Sequence, residues 1–261
     1  MKIHYTFYDT GKWFGHFGEY WAASNLLFMA YNSGEDRVLH VNRESLEQVK
    51  DYWKGEIRVL EPLKYNTVSS AKIDVLKSIP LGDVQCDLDT VILDTSKFEG
   101  NHDLLVQFVE AAENPQEVKK WLLGKEYNEL AAGINGYGYN CGTTQFKNQE
   151  LKNLYIDSYY KLLDIYDKYA QESFDNPGWI DALFEQCLLE RLSEGYKVEI
   201  YEQPGVITYP CLTKSYEHYL ADSKVRHGKY IYKRIKDKDA AMAEKLLQHP
   251  SIKKVVDLEA A

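Results

Sequence analysis

The sequence has no long uninterrupted run of apolar residues among its 261 positions. A membrane-spanning helix needs about 20 such residues in a row, and a secretory signal needs a continuous apolar core near its start. The opening Met1-Lys2-Ile3-His4-Tyr5 contains no such core. We therefore expect a protein without a transmembrane segment, located in the cytoplasm.

Cysteine is scarce, and its four positions are far apart: Cys86, Cys141, Cys187 and Cys211. Zinc sites and redox couples usually bring two cysteines within a few residues of each other. That spacing is missing here. The sequence therefore predicts free thiols, most of them buried.

Internal repeats and low-complexity linkers are also missing, which excludes a repeat array. An apolar fraction of 44% predicts one main domain with appended elements. The net charge of −9 disfavours non-specific attraction to nucleic acid. Ten of the residues from Lys224 to Lys254 are nevertheless Lys or Arg, and we predict a basic helical extension over 225–261. We interpret it as a solvated helix, and leave a phosphate, membrane or partner contact open.

Strand patterns alternate with helix patterns along the first part of the chain. Strands are predicted at 2–9, 37–41, 57–60 and 83–93, and helices at 19–31, 44–53 and 69–78. Later helices are predicted at 115–123, 148–172, 179–194 and 236–248, with strands at 198–201 and 206–208. This alternation predicts an α/β fold with a Rossmann-like, mostly parallel sheet flanked by helices.

Two acidic residues, Asp87 and Asp89, stand one position apart within the apolar segment 83–93. Side chains alternate along an extended strand, so both carboxylates are expected on the same side. Two carboxylates this close repel each other unless a cation lies between them, and oxygen ligands suit Mg²⁺ or Mn²⁺. Because ligands of parallel α/β sheets bind beyond the carboxyl ends of the strands, the pair predicts a cation site that binds a diphosphate.

The segment from Lys72 to Asp89 resembles the glycogenin-like retaining glycosyltransferases, family eight in the usual classification, which have the GT-A fold. In that family a basic residue on a helix leads into the metal-binding acid pair. The resemblance implies that Lys72 contacts the sugar or phosphate of a nucleoside-diphosphate sugar. It also implies that Asp87 meets both the donor and the metal, with Asp89 as a second metal ligand.

Two further segments are similar to motifs of this family. Asn140-Cys141-Gly142 follows a glycine-rich stretch and resembles the family's Asn-x-Gly turn on the acceptor side, which implies that Asn140 hydrogen-bonds sugar hydroxyls. Glu185-Gln186 resembles the start of its Asp-Gln-x-x-Leu-Asn helix, which implies that both side chains line the pocket of the donor sugar. Glu185 replaces the usual aspartate, so the sugar preference stays open.

The segment 218–224 resembles the family's His-x-x-Gly-x-x-Lys motif, with Ala221 in place of the glycine. The resemblance implies that His218 is the third ligand of the cation and that Lys224 holds the diphosphate. Imidazole binds Mn²⁺ more readily than Mg²⁺, so we expect manganese. Thr6 and Tyr8, at the end of the first strand, fall where the family meets the nucleotide base.

The resemblance as a whole implies a metal-dependent transfer of a hexose or pentose from a nucleoside-diphosphate sugar, with uridine as the expected base. The acceptor is a hydroxyl of a carbohydrate or another molecule, the anomeric configuration is retained, and residues 1–224 are the catalytic domain. Three alternatives stay open: a sugar-1-phosphate nucleotidyltransferase, a noncatalytic sugar-nucleotide-binding protein and a DNA-base glycosyltransferase. The acidic net charge disfavours the last of these. The sequence leaves the sugar, the acceptor and the oligomeric state undetermined.

Overall fold

A computed structural model describes residues 1–8, 18–65, 67–111, 137–168, 177–201, 211–212, 216–218 and 228–257. The chain divides into two units. The first unit contains Lys2–Pro62, Cys86–Thr95 and Pro204–Ala261, and the second contains Met1, Leu63–Gln85 and Ser96–Gln203. The predicted helix at 115–123 and strand at 206–208 lie outside the described residues.

Within the described residues the strands are β1 (Ile3–Phe7), β2 (Arg37–Val41), β3 (Glu56–Val59), β4 (Val84–Asp87), β5 (Thr90–Ile92), β6 (Leu104–Ala111), β7 (Tyr137–Phe146), β8 (Val198–Ile200), β9 (Cys211–Leu212) and β10 (Tyr216–His218). The helices are α1 (Gly18–Asn32), α2 (Arg43–Val49), α3 (Val68–Ser78), α4 (Gln149–Lys168), α5 (Pro177–Leu192), α6 (Gly228–Lys238), α7 (Ala240–Leu247) and α8 (Pro250–Asp257). Short 3₁₀ helices cover Lys50–Tyr52 and Ser96–Glu99.

Seven strands form the larger sheet, in the order β3-β2-β1-β4-β7-β6-β8. β1 pairs with β2 in parallel, as do β2 with β3 and β6 with β8, whereas β6 and β7 are antiparallel. Helices flank this sheet. The predicted α/β class, with a mostly parallel sheet, is confirmed.

Buried aliphatic residues explain the parallel strands of the first unit. Val38, Leu39 and Val41 of β2 are fully buried, which is the continuous apolar pattern of a strand covered on both faces. Tyr5 of β1 is also buried and packs edge-on against Trp53. Because burial disfavours the phenolate, the pKa of Tyr5 is raised.

The predicted strand at 83–93 is wrong as a single element. β4 ends at Asp87, residues 88–89 form a turn, and β5 starts at Thr90. β4 belongs to the larger sheet, whereas β5 joins β10 and β9 in a smaller sheet of order β5-β10-β9. Apolar residues on both sides of the turn hid this break in the sequence pattern.

The predicted terminal helix at 236–248 is also wrong in its bounds, because three helices occupy this region. The side chain of Asp239 accepts a hydrogen bond from the Met242 amide at 3.1 Å, so α7 begins anew after α6. Pro250 is the first residue of α8, where its missing N–H and fixed φ suit a helix start. Pro250 therefore begins a further helix beyond the predicted end at residue 248.

In the second unit, β7 occupies part of the stretch that we predicted as a glycine-rich loop. Asn140 and Gly142 lie within β7, so the predicted Asn-x-Gly turn is wrong. Asn140 pairs with Phe108 of β6, and the register of the two strands shifts between Phe108 and Val106. Two glycines lower the strand propensity of this stretch. The antiparallel partner β6, which the sequence pattern did not reveal, supplies the pairing that overrides the low propensity.

Candidate functional site

In the first unit, the acidic pair lies at the junction of β4 and β5. Asp87 is the last residue of β4, and Asp89 lies in the following turn. The strand-alternation argument for their common direction is therefore wrong. Both acidic residues are half-buried, whereas Leu88 between them is buried. Solvent and ligands can therefore reach the Asp87 and Asp89 side chains, whereas the Leu88 side chain packs in the interior.

Asn32, the last residue of α1, holds the backbone of this turn. Its Nδ2 donates to the carbonyl oxygens of Leu88 at 2.7 Å and Thr90 at 3.2 Å, and Asn32 itself is buried. The sequence pattern did not predict this role, because it placed the helix end at residue 31 and gave Asn32 no distant partner. The sequence shows a polar residue at the end of an apolar helix. It does not show that this residue contacts the backbone at Leu88 and Thr90.

His218, the predicted third metal ligand, comes close to the acidic pair through backbone pairing. β10 runs antiparallel to β5, with His218 opposite Thr90 and Glu217 opposite Val91. The backbone of His218 therefore lies beside the residue that follows Asp89. The side chain of His218 and all of Lys224 lie outside the described residues.

The predicted base-contacting residues lie at the carboxyl end of β1. Thr6 is buried and pairs with His40 of β2, and Tyr8 is half-buried just after the strand. Burial raises the pKa of Tyr8, and the Glu44 carboxylate raises it further, so the phenol keeps its proton. Asn42 follows the end of the neighbouring β2, and its Nδ2 donates to Glu44 Oε2 at 3.0 Å. Polar groups thus cluster at the edge where parallel α/β sheets bind ligands.

A buried histidine pair lies beside Thr6. His4 Nδ1 and His40 Nε2 are 2.9 Å apart, and both residues are buried. Burial, followed by the neighbouring His4, lowers the pKa of His40 to about 3. His40 is therefore neutral near pH 7, and of the two facing ring nitrogens one donates and the other accepts.

In the second unit, Lys72 and Glu185 form a buried ion pair between α3 and α5. Lys72 Nζ lies 2.8 Å from Glu185 Oε1, with side chains 10% and 7% exposed. Gln85 Nε2 donates to the Lys72 carbonyl at 3.0 Å, and the Tyr155 hydroxyl donates to the Glu185 carbonyl at 3.2 Å. The family resemblance implied separate contacts of Lys72 and Glu185 with the sugar-nucleotide donor. In the structure the two side chains form an ion pair with each other.

Gln186 lies next to this pair, where α5 packs closely on β7. A Cβ atom at Gly138 would lie 3.1 Å from Gln186 Cβ, so glycine allows this approach. Asn140 lies two residues further along β7, and therefore on the same face. Its Oδ1 accepts the Gly142 amide at 2.9 Å, which fixes the side chain of Asn140 in the buried strand.

The donor set of the first unit suits a hard divalent cation. Two aspartates supply oxygen ligands of the kind that Mg²⁺ and Mn²⁺ prefer, and an imidazole from His218 would favour Mn²⁺ over Mg²⁺. Across the described residues alone, no group of three His, Cys, Asp or Glu residues is arranged to hold a metal ion. Cys86, Cys141 and Cys187 are buried free thiols, as predicted.

Among the described helices, none combines the length and apolar character that a membrane crossing requires. No protein-family model matches the chain, and no curated protein matches it.

Three solved structures are similar to the chain at low identity. The glycosyltransferase GlyE of Streptococcus pneumoniae TIGR4 has 12% identity and a TM-score of 0.38 over 77% of this chain, which spans only 45% of the GlyE chain. The apo form of mouse xyloside xylosyltransferase 1 has 11% identity and a TM-score of 0.41, over 77% of this chain and 84% of that one. The 4-diphosphocytidyl-2C-methyl-D-erythritol synthase of Anaerococcus prevotii DSM 20548 has 13% identity and a TM-score of 0.34, over 77% and 86%. Two of these three distant neighbours are glycosyltransferases, and the similarities by themselves assign no function to this chain.

Proposed function

We propose that this protein is a GT-A-type glycosyltransferase that moves a sugar from a nucleoside-diphosphate sugar, with uridine as the expected base, to an acceptor hydroxyl. Asp87, Asp89 and His218 would hold Mn²⁺, and Thr6 and Tyr8 would contact the base. The proposal includes retention at the anomeric carbon, a feature of the resembled family, and a cytoplasmic location. The sugar and the acceptor are left open.

The observation that carries the proposal is the register of β5 and β10. His218 and the acidic pair are distant in sequence and were assigned to one site on motifs alone. The pairing of His218 with Thr90 brings its backbone next to Asp89 in the first unit. This proximity supports the motif-based assignment, since chance matches at distant positions have no reason to become neighbours.

A bound Mn²⁺ would neutralise the negative charge that develops on the departing diphosphate. The side chains of the protein would bind the diphosphate and the base. Lys224 would bind the diphosphate as a point charge, and the neutral phenol of Tyr8 would donate to a polar atom of the base. In the second unit, considered by itself, Lys72 Nζ lies 2.8 Å from Glu185 Oε1. The contact of Gln186 with a sugar stays an implication of the family resemblance. No carboxylate is assigned as a nucleophile, so we propose front-side attack by the acceptor hydroxyl.

The test is release of nucleoside diphosphate from a panel of sugar nucleotides with Mn²⁺, using wild-type protein, Asp89→Asn and Asp157→Asn. Asp89→Asn removes one charge from the proposed cation site, and Asp157→Asn removes one from an exposed position on α4. We expect a loss of about 100-fold or more for Asp89→Asn, because one metal ligand is weakened. Asp157→Asn should retain wild-type turnover.

Three outcomes contradict the proposal. Absence of diphosphate release from every sugar nucleotide contradicts transfer, and equal release by Asp89→Asn contradicts the metal site. Release of pyrophosphate from a nucleoside triphosphate and a sugar 1-phosphate would instead identify a nucleotidyltransferase. Metal-dependent nucleotide binding without turnover, measured by calorimetry, would identify a noncatalytic binding protein.

A further inference from the structure

We infer that Asn32 is a positioning residue for Asp89 and that Lys238 of the C-terminal helix α6 holds Asn32 in place. The inference rests on the proposed function for what Asp89 does. The anchoring itself rests on contacts within the first unit.

The amide of Asn32 contacts both sides of Asp89 in the chain. Its two N–H donors are both used, one on the Leu88 carbonyl at 2.7 Å and one on the Thr90 carbonyl at 3.2 Å. Because Asn32 is buried at the end of α1, water is a poor substitute for this amide. A single side chain thereby fixes the backbone that carries the half-buried carboxylate.

The same contacts also fix the start of β5. Thr90, one of the two acceptors, pairs with His218 across the smaller sheet. Asn32 therefore anchors the residue that connects the acidic turn to the strand bearing the proposed imidazole ligand. Movement of the turn would change the distance between two ligands of the same cation.

Lys238 of α6 contacts the backbone at the carboxyl-terminal end of α1. Its Nζ donates to the Tyr31 carbonyl at 3.0 Å and to the Ser33 carbonyl at 3.4 Å, which are the residues on either side of Asn32. The last carbonyls of a helix have no partner within the helix, and a cation there is favourable. The guanidinium of Arg234, also from α6, lies 4.9 Å from the centre of the Tyr31 ring. The basic extension is thus linked to Asp89 through a continuous series of contacts.

The test compares Asn32→Ala with Ser33→Ala in the full chain. Ser33 is buried at the same helix end, but its hydroxyl donates to the Ala30 carbonyl at 2.8 Å and not to the turn. Hydrogen exchange of the metal-free protein is measured over residues 86–95, and the dissociation constant of Mn²⁺ is measured by calorimetry. We expect Asn32→Ala to speed exchange in this segment and to weaken Mn²⁺ binding about tenfold, the lower range for loss of a group that orients a metal ligand.

Lys238→Met is the second variant, because it keeps the aliphatic stem and removes the two hydrogen bonds. We expect it to change exchange and Mn²⁺ affinity in the same direction as Asn32→Ala, by a smaller factor. Lys236→Met, at an exposed position of α6, is its control and should leave both measurements at wild-type values. If Asn32→Ala does not fold, Lys238→Met decides the question.

Unchanged exchange at residues 86–95 in Asn32→Ala and Lys238→Met overturns the inference. So does a Ser33→Ala variant that affects this segment as strongly as Asn32→Ala. A wild-type protein that does not bind Mn²⁺ refutes the proposed metal site alone, because exchange in the metal-free chain still reports the anchoring. Faster exchange together with intact Mn²⁺ affinity also overturns the positioning role.

Discussion

The buried pair of Lys72 and Glu185 allows a sharp prediction at the scale of single residues. Both side chains are at most 10% exposed, so removing either partner takes away the opposite charge that lies 2.8 Å from a buried charged group. We expect Lys72→Met or Glu185→Gln to lower the free energy of unfolding by about 3–5 kcal/mol. The double variant Lys72→Met/Glu185→Gln should lose much less than the sum of the two single changes, because it removes both charges. Urea unfolding of the four proteins measures this coupling.

Glu194→Gln is the control for this cycle. Glu194 also pairs with a cation, Arg191, but its side chain is 77% exposed. An exposed pair of this kind contributes little to stability, so its urea midpoint should stay at the wild-type value. Additive losses in the Lys72–Glu185 cycle would contradict the buried contact.

His40 predicts how stability depends on pH. Its folded pKa of about 3 lies below the ordinary value of 6.5, chiefly through burial and then through His4 and Arg58. The unfolded chain therefore takes up a proton first as the pH falls. The stabilising contribution is complete above pH 6.5 and is lost progressively towards pH 3. Between pH 7.5 and pH 5 we expect a loss of about 2 kcal/mol, from 1.36 kcal/mol per pH unit.

His40→Gln tests this assignment, because glutamine is polar and does not titrate. Urea unfolding at pH 7.5 and pH 5 should show a smaller pH-dependent loss in the variant than in the wild type. An equal loss in both proteins would assign the acid sensitivity to other groups.

At the scale of elements, the sequence predicted those parts of the fold in which a single chain segment carries its own signal. The strand predicted at 37–41 matches β2 at both ends, since its apolar residues are fully buried. The helix predicted at 69–78 matches α3 within one residue. Its start is set locally, because Thr67 accepts the Ser70 amide at 3.1 Å in a capping box.

The sequence patterns did not predict the features that depend on a partner far away in the chain. The strand assignment of Asn140 requires β6, and the turn at Asp89 requires the amide of Asn32 and pairing with β10. The motifs named the candidate site residues, which stay predictions, and gave no sign of the ion pair between Lys72 and Glu185. Charge complementarity between two helices leaves no trace in the spacing of either helix.

The contact between α6 and α8 provides a prediction at the element scale. A Cβ atom at Gly228 would lie 2.0 Å from Val255 Cγ1, so Gly228→Ala overpacks the start of α6. We expect a loss of about 1–3 kcal/mol in the free energy of unfolding. Val255→Ala alone should lose stability through a cavity. The double variant should be more stable than Gly228→Ala, because the second change removes the clashing methyl groups, and urea unfolding of all three measures the difference.

The C-terminal helices bear on the predicted division of the chain into a main domain and an extension, which stays a prediction. The sequence predicted a main domain over 1–224 and an appended extension over 225–261. In the structure, α6 and α8 pack against α1 in the same unit, with Ile231, Ile235 and Val255 buried. Each buried aliphatic side chain contributes about 1.5–3 kcal/mol, which is a large fraction of the net stability of about 5–15 kcal/mol that a domain has.

Truncation after residue 224 tests this division. Removal of α6 to α8 exposes the apolar face of α1 and deletes the Lys238 contacts at its end, so we expect loss of cooperative urea unfolding and of near-ultraviolet circular dichroism. Truncation after Asp257, at the end of α8, should leave both signals intact. A 1–224 fragment with a cooperative transition at the wild-type urea midpoint would show that the extension is an appendage and not part of the first unit's core. In that case Asn32 would also have to hold its position without Lys238, and the link from α6 to Asp89 would lose its physical basis.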